Sequence, residues 1–273
     1  MDLQTLAHHL ETIVREGVKN ILLNTDIELK IENKGYQDIV TAKDKLMEDF
    51  LIESIKEICP KDLFIAEEGH HSELTTSRTW IIDPIDGTLN FAQGNPNFGV
   101  QLALFDNMEG LLSIVYLPAI DEYYYAIRNE GAYLNHKKLD IKNTLSIEEA
   151  IVTFGDFSKS NPLSRTFQSA LIDKLHSKAM KIRIQGSSSI DFAFIAGQKN
   201  HCHIMFSKRI WEIKPGLLLL EEAGAYTDLI DGTPYGFPGN AVIATCSLSI
   251  LENIRETMQS LIEAVDKVNR LDC

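Results

Sequence analysis

Apolar residues recur at helical spacing from the start of the chain: Leu3, Leu6, Leu10, Ile13, Val14, Val18, Ile21 and Leu22 fall on one face. That spacing predicts one long amphipathic helix over the first two dozen or so residues. A second helical pattern runs from about Lys43 through Leu46, Met47, Phe50, Leu51 and Ile55. Pro60 closes it, because proline has no N–H to extend the helical ladder. Between the two, Glu32-Asn33-Lys34-Gly35-Tyr36 is polar and contains glycine, and reads as a loop. From Leu63 the period shortens to that of strands, predicted at 63–66, 79–83, 99–105, 111–116 and 123–128, with a hairpin turn at 106–110. These strands suggest a largely antiparallel sheet with acidic loops at its edge. After about residue 145 strands and helices alternate: strand 150–154, helix 164–177, strand 181–184, helix 189–197, strand 201–206, helix 213–223, strand 241–245 and helix 247–268. Alternation of this kind implies layered α/β packing. No internal repeat, low-complexity tract or Pro/Ser linker interrupts the pattern. The chain therefore reads as one domain over 1–273, with an N-terminal half of about 1–145 and a C-terminal α/β half of about 146–273.

Composition narrows the function classes. The chain has 273 residues, 44% of them hydrophobic, enough for a sizeable core. Its net charge of −13 argues against general affinity for nucleic acid or anionic membranes, so an anionic substrate would have to be held by metal. Cys59, Cys202, Cys246 and Cys273 lack the paired spacing of a zinc site or a disulfide framework, as expected of reduced thiols in a cytoplasmic protein. In His201-Cys202-His203 strand alternation puts the histidines on one face and the cysteine on the other, which disfavours a soft-metal site. The chain opens without the basic start and apolar core of a signal segment, and no apolar run approaches the ~20 residues that span a bilayer.

The candidate chemistry lies in Thr79-Trp80-Ile81-Ile82-Asp83-Pro84-Ile85-Asp86-Gly87-Thr88-Leu89-Asn90-Phe91. An apolar run ends in two acids spaced by Pro-Ile and followed by Gly-Thr. Pro84 fixes φ as the chain leaves the strand and Gly87 permits a tight turn, so two carboxylates can face one point. Hard divalent cations such as Mg²⁺ take oxygen ligands at roughly 2.1 Å in near-octahedral array, with water and substrate phosphate completing the shell.

Asp83 to Thr88, with Asn90-Phe91 behind, resembles the signature of the inositol monophosphatase family. Ala66-Glu67-Glu68-Gly69 resembles the family's first acidic motif, and Asp38-Ile39-Val40-Thr41 with Asp44 its Asp-x-Val-Thr-x-x-Asp segment. Gly186-Ser187-Ser188-Ser189, Trp211-Glu212 and Glu221-Glu222-Ala223-Gly224 fall where the family places its substrate-side turn and final motif. The resemblance implies an α+β fold, the layered α-β-α-β-α sandwich of the sugar phosphatases. It further implies a lithium-sensitive, homodimeric phosphatase that uses two or three Mg²⁺ ions to hydrolyse a small phosphorylated substrate.

The resemblance also implies roles. Glu67 and Asp83 with the Ile85 carbonyl would form a first metal site, and Asp83, Asp86 and Glu212 a second, with Asp83 bridging. Glu67 would share a third, weaker ion that assists water activation, and Thr88, paired to Asp44, would address the attacking water. Asp44 alone reads equally as a helix N-terminal acid. Asp86, Gly87, Thr88, Ser187, Ser188, Arg209 and Lys34 are the candidate substrate contacts, although Ser187 or Ser188 also reads as an N-cap and Lys34 as a solvated lysine. Glu68, Glu221 and Glu222 are not expected to be ligands.

Departures matter too. The family's Trp-Asp is Trp211-Glu212 here, followed by Lys214 and Pro215, both expected in the first helical turn. Met205 stands near where inositol-preferring members carry an acid, with Lys208 and Arg209 following, which suits a second phosphate or a larger anionic leaving group. Fructose 1,6-bisphosphate, NADP and 3′-phosphorylated nucleotides are alternative substrates. A weakened member acting as a protein- or RNA-binding regulator is the reading from another class.

Overall fold

The computed structural model describes residues 1–35, 38–70, 73–142, 144–157, 161–230 and 241–271; Tyr36, Cys273 and the side chain of Asp38 lie outside the described residues. In chain order the elements begin with α1 (Leu3–Gly17), β1 (Ile31–Gly35), β2 (Asp38–Thr41), α2 (Ala42–Ile58), β3 (Leu63–Ala66), β4 (Thr79–Asp86) and α3 (Thr88–Ala92). There follow β5 (Gly99–Asp106), β6 (Glu109–Leu117), β7 (Glu122–Ile127), β8 (Gly131–Leu134), β9 (Lys137–Lys138), β10 (Ile151–Phe154), α4 (Pro162–His176) and β11 (Lys181–Ile184). The chain continues with α5 (Ser188–Ala196), β12 (Cys202–Met205), α6 (Ile210–Ala223), β13 (Tyr226–Ile230), β14 (Ala241–Thr245) and α7 (Leu248–Leu271).

By internal packing the chain forms two units, the first comprising Met1–Asp140, Gly186–Ala193 and Arg209–Ala223. In this unit α1 starts on Asp2, whose side chain accepts the Thr5 N–H, and its last turn widens into a π-helical stretch at Val18–Leu22. The buried Lys43 Nζ closes that end by donating to the Leu22 and Asn24 carbonyls, at 2.9 and 2.8 Å. Thr41 and Asp44 form a capping box at the start of α2. The segment expected to be a loop before it is strand β1, antiparallel to β2 with Ile31 opposite Thr41 and Glu32 opposite Val40. All five β1 residues are exposed, so there was no apolar alternation to announce the strand.

A seven-stranded sheet, ordered β3-β4-β5-β6-β7-β8-β9, is antiparallel except for the parallel β3/β4 pair. Trp80, Ile82, Val100, Leu102 and Leu104 pack into one core with Leu6, Leu10, Met47 and Leu51 of α1 and α2. Ile81, Ala103 and Phe105 form a second cluster with Ile210 and Trp211 of α6. With helices on both faces, β4 reads as an unbroken apolar run rather than an alternating one.

Helix α6 begins at Ile210 rather than Ile213, which corrects two expectations. Pro215 lies in the helix interior, not the first turn, and its ring leaves the Trp211 carbonyl without the usual i+4 donor. The Pro215 carbonyl itself accepts the buried Ser113 hydroxyl at 2.6 Å. Lys214 lies beyond the first turn, its ammonium 5.7 Å from the centre of the Phe105 ring. Gly216 of α6 lies against Phe192 of α5: a Cβ there would lie 2.1 Å from Phe192 Cδ2 and 2.8 Å from its Cβ. Because the Phe192 Cβ is fixed to the backbone, rotation of the ring cannot relieve the overlap. Gly216→Ala is expected to lower stability by about 3 kcal/mol or to prevent folding, measured by denaturant unfolding.

The second unit comprises Ile141–Gln185, Phe194–Lys208 and Gly224–Cys273. Its sheet runs β11-β10-β12-β14-β13, with β10 parallel to both neighbours and β14 antiparallel to both of its own. Helices α4 and α7 pack on each other and on this sheet. Strand β13, an edge strand with Tyr226 and Leu229 exposed, carries too little apolar pattern to be read from sequence. His203 of β12 and His201 just before it serve the sheet: His201 Nδ1 accepts the Ile151 N–H at 2.9 Å and His203 Nδ1 lies 2.8 Å from Thr153 Oγ1. Burial holds the His203 imidazole neutral, its pKa pushed down to about 3. Among the described residues no helix is long and apolar enough to cross a membrane.

Candidate active site

The site is built in the first unit, at the end of β4. Pairing with β5 sets Asp83 opposite Gln101 and Asp86 opposite Gly99, so β4 holds one more residue than its partner over this span. Gly99 and Gln101 lie on the same face of β5, so the extra residue brings Asp83 and Asp86 onto one face. A regular strand would have put them on opposite faces. Pro84, with no N–H to give to the ladder, suits this bulge.

Asp83 is fully buried, and both its carboxylate oxygens have no hydrogen-bond partner among the described residues. Burial and the nearby charges of Glu67, Asp86, Glu212 and Asp44 push its pKa well above the ordinary value. Glu67 follows β3, and its N–H reaches the Ile82 carbonyl at 3.3 Å. Its carboxyl is pushed up to about 7, mainly by burial and then by Glu68 and Glu212, with Lys34 and Arg209 opposing. Lys34 Nζ lies 3.4 Å from Glu67 Oε1 and 2.5 Å from Glu68 Oε2. Arg209 donates to Glu212 Oε1 at 3.1 Å from the same end of α6.

Asp86 is held from three sides. Its Oδ2 accepts the Ser187 hydroxyl at 2.5 Å and the Ser189 N–H at 2.7 Å, while Oδ1 accepts the Ser188 hydroxyl at 2.9 Å. The serine turn is thus a socket for Asp86 at the start of α5, and Ser187 Oγ also accepts the Ile190 N–H in N-cap fashion. Gly87 sits at φ 87°, where an added Cβ would lie 3.0 Å from the Asn97 carbonyl and 3.1 Å from Ser187 Cβ. A side chain at that position would be strained twice over. Thr88 Oγ1 lies 3.0 Å from both Asp44 Oδ1 and the Ile85 carbonyl. Asp44 Oδ2 in turn accepts the Thr41 N–H at 2.8 Å and the Thr41 hydroxyl at 2.5 Å. Burial raises the Asp44 pKa against the pull of these donors.

Comparison with known proteins decides what this cluster belongs to. The family model described as "Inositol monophosphatase family" matches residues 2–269. The chain belongs to the inositol monophosphatase family. It is 32% identical over 195 residues to a fructose-1,6-bisphosphatase/inositol-1-monophosphatase of Thermotoga maritima, covering 71% of this chain and 73% of that one. It is 30% identical over 239 residues to the Nus factor SuhB of Vibrio cholerae, covering 86% and 89%. The solved structure of an IMPase/NADP phosphatase complexed with Mg²⁺ and phosphate shares the fold, with a TM-score of 0.76 at 24% identity, over 93% of this chain and 93% of that one.

Inositol monophosphatase family members are phosphomonoesterases with a mixed, layered α/β fold. The donors at this site suit a hard divalent cation: all are carboxyl or carbonyl oxygens, and Asp83 is buried among other acids with no hydrogen-bond partner among the described residues. A buried carboxylate in that setting is stabilised by an adjacent cation. Among the described residues no three acidic, His or Cys side chains close into a ready-made cage.

Several participants escaped the sequence reading. The buried Glu48, on α2 one turn beyond Asp44, accepts the Glu68 N–H at 2.7 Å and meets His70 Nδ1 at 3.1 Å, holding the turn that carries Glu67. Its signal was an acid at i+4 from Asp44 among apolar neighbours. Gln101 also escaped it but left a mark, since it is the polar residue within the apolar run 99–105, and Ser189 was read only as part of the serine turn.

Proposed function

We propose that this protein is a Mg²⁺-dependent phosphatase that hydrolyses a small phosphomonoester, a sugar phosphate or related alcohol phosphate, by attack of water on phosphorus. The observation that carries this reading is the buried Asp83 carboxyl group beside Glu67, Asp86 and Glu212, with no hydrogen-bond partner among the described residues. In it Glu67, Asp83 and the Ile85 carbonyl hold one ion, and Asp83, Asp86 and Glu212 another. Bound Mg²⁺ would neutralise the phosphate oxygens and lower the pKa of a water. Thr88 donates its hydroxyl proton to Asp44, which leaves its oxygen able to accept from the attacking water and so to orient it. Asp44, with its raised pKa, is suited to share the proton released on that side. Lys34 and Arg209 line the site as cations for the anionic substrate, and the name of the Thermotoga relative supports sugar phosphates and inositol phosphate as first candidates.

A second reading, a family member that acts by binding a partner, is favoured by the pairing of Lys34 and Arg209 with two of the four metal-site carboxylates. The Nus factor name of the Vibrio relative gives it a precedent. A panel of phosphomonoesters assayed for phosphate release separates the two. We expect release that requires Mg²⁺ and is fastest for one small sugar or alcohol phosphate; no release from any ester at any Mg²⁺ concentration overturns the catalytic reading.

A further inference from the structure

Gln101 is wholly buried on β5, directly opposite Asp83 on β4. Its companions on that face, Ala103 and Phe105, are apolar and pack against α6, so a leucine or methionine would fit the surroundings better than an amide. The amide is also only half satisfied. Nε2 donates to Ser188 Oγ at 3.1 Å, while Oε1 is buried with no partner among the described residues. An amide kept at such a place on packing grounds alone would be a poor choice, and its one bond leads to the site.

That bond ends on a branch point. The Ser188 hydroxyl has two acceptors, Asp86 Oδ1 at 2.9 Å and the Glu212 carbonyl at 3.0 Å. With both positions facing its single proton taken by acceptors, Ser188 offers Gln101 a lone pair, which is why the amide presents its N–H there. Donation into the serine oxygen polarises the O–H and strengthens its onward bond. The contact therefore acts on two places at once: the carboxylate of Asp86, and the backbone of the first turn of α6, from which Glu212 projects.

We infer that Gln101 is a positioning residue for the second metal site, acting through Ser188 to hold Asp86 and the Glu212 turn in register for one cation. This rests on the Mg²⁺ reading above. Gln101 itself touches neither ion nor substrate; it sets the direction of a hydroxyl that two ligands share. The Ser187 hydroxyl and the Ser189 N–H on Asp86 Oδ2 are independent of it, so removal of the amide loosens one side of Asp86 and leaves the other in place.

The test is a double-mutant cycle with Gln101→Met, which keeps length and burial, and Ser188→Ala. The readout is the Mg²⁺ dissociation constant by calorimetry, with thermal melting in chelator recorded alongside. Ser188→Ala is expected to weaken Mg²⁺ binding about threefold to tenfold, as loss of one hydrogen bond to a charged group would. Gln101→Met should weaken it severalfold while melting at or above the wild-type temperature in chelator, and the double variant should bind no more weakly than Ser188→Ala alone. Wild-type affinity in Gln101→Met, or losses that multiply in the double variant, overturns the inference while leaving the metal reading intact. A wild-type protein that binds no Mg²⁺ overturns both. Should Gln101→Met fail to fold, Ser188→Ala decides alone, because unchanged Mg²⁺ affinity there removes the path through which Gln101 acts.

Discussion

Asp83→Asn is expected to abolish phosphate release without lowering stability in chelator. The substitution keeps size and burial but removes the charge that both proposed ions share. Charge stabilisation by bound metal is worth several kcal/mol of transition-state energy, which corresponds to about 10³-fold in rate. In the fold itself the carboxylate oxygens have no hydrogen-bond partner among the described residues and lie near four other acids. A neutral amide there relieves repulsion and breaks no bond. Steady-state phosphate release and thermal melting in excess chelator check the two halves. More than a tenth of the wild-type rate would show that Asp83 does not bridge.

The second large effect is an opposition between protons and Mg²⁺. Glu67 has its folded pKa raised from 4.5 to about 7, and burial shifts Asp83 upward as well. A raised acid binds its proton more tightly folded than unfolded. Its contribution to stability is therefore complete below the ordinary carboxylate pKa and is lost as pH rises through about 7 at Glu67. In chelator the protein should melt at a lower temperature at pH 7.5 than at pH 5.5, conditions chosen to bracket roughly that range. Bound Mg²⁺ must displace the same proton, so its midpoint concentration should rise by about tenfold per pH unit below about 7 if one proton is released. Melting curves and Mg²⁺ titrations across this range check both slopes. Melting in chelator that is flat or rises with pH, together with a pH-independent Mg²⁺ midpoint, would remove Glu67 from the metal site.

Strong local signals carried most of the fold. The 3.6-residue period of α1 and α2, the apolar run of β4 and the alternation after residue 145 are properties of neighbours in sequence, and the elements formed within a few residues of where the pattern put them. Elements stabilised from a distance left no such trace. Strand β1 has no buried residue, β13 is a part-exposed edge, and the early start of α6 depends on Ile210 and Trp211 finding Ile81 and Phe105 across the sheet. The interior place of Pro215 follows from that early start.

The candidate site divides in the same way. Its chemistry was legible because carboxylates around Pro84 and Gly87 in Asp83-Pro84-Ile85-Asp86-Gly87-Thr88 restrict the backbone locally, and few local geometries serve two acids so spaced. Which groups hold those acids in place was decided only by tertiary structure. The bulge between β4 and β5 turns Asp83 and Asp86 to one face, and the serine turn, far away in sequence, becomes the socket of Asp86. Glu48 fixes the Glu67 turn, and Gln101 reaches the same network from the neighbouring strand. By itself the sequence determined which residues can bind a hard cation, since that depends on their own oxygen atoms and the turn they make. Tertiary structure decided their burial, their partners and hence their pKa values, because desolvation and hydrogen bonding depend on everything packed around a group and not on its position in the chain.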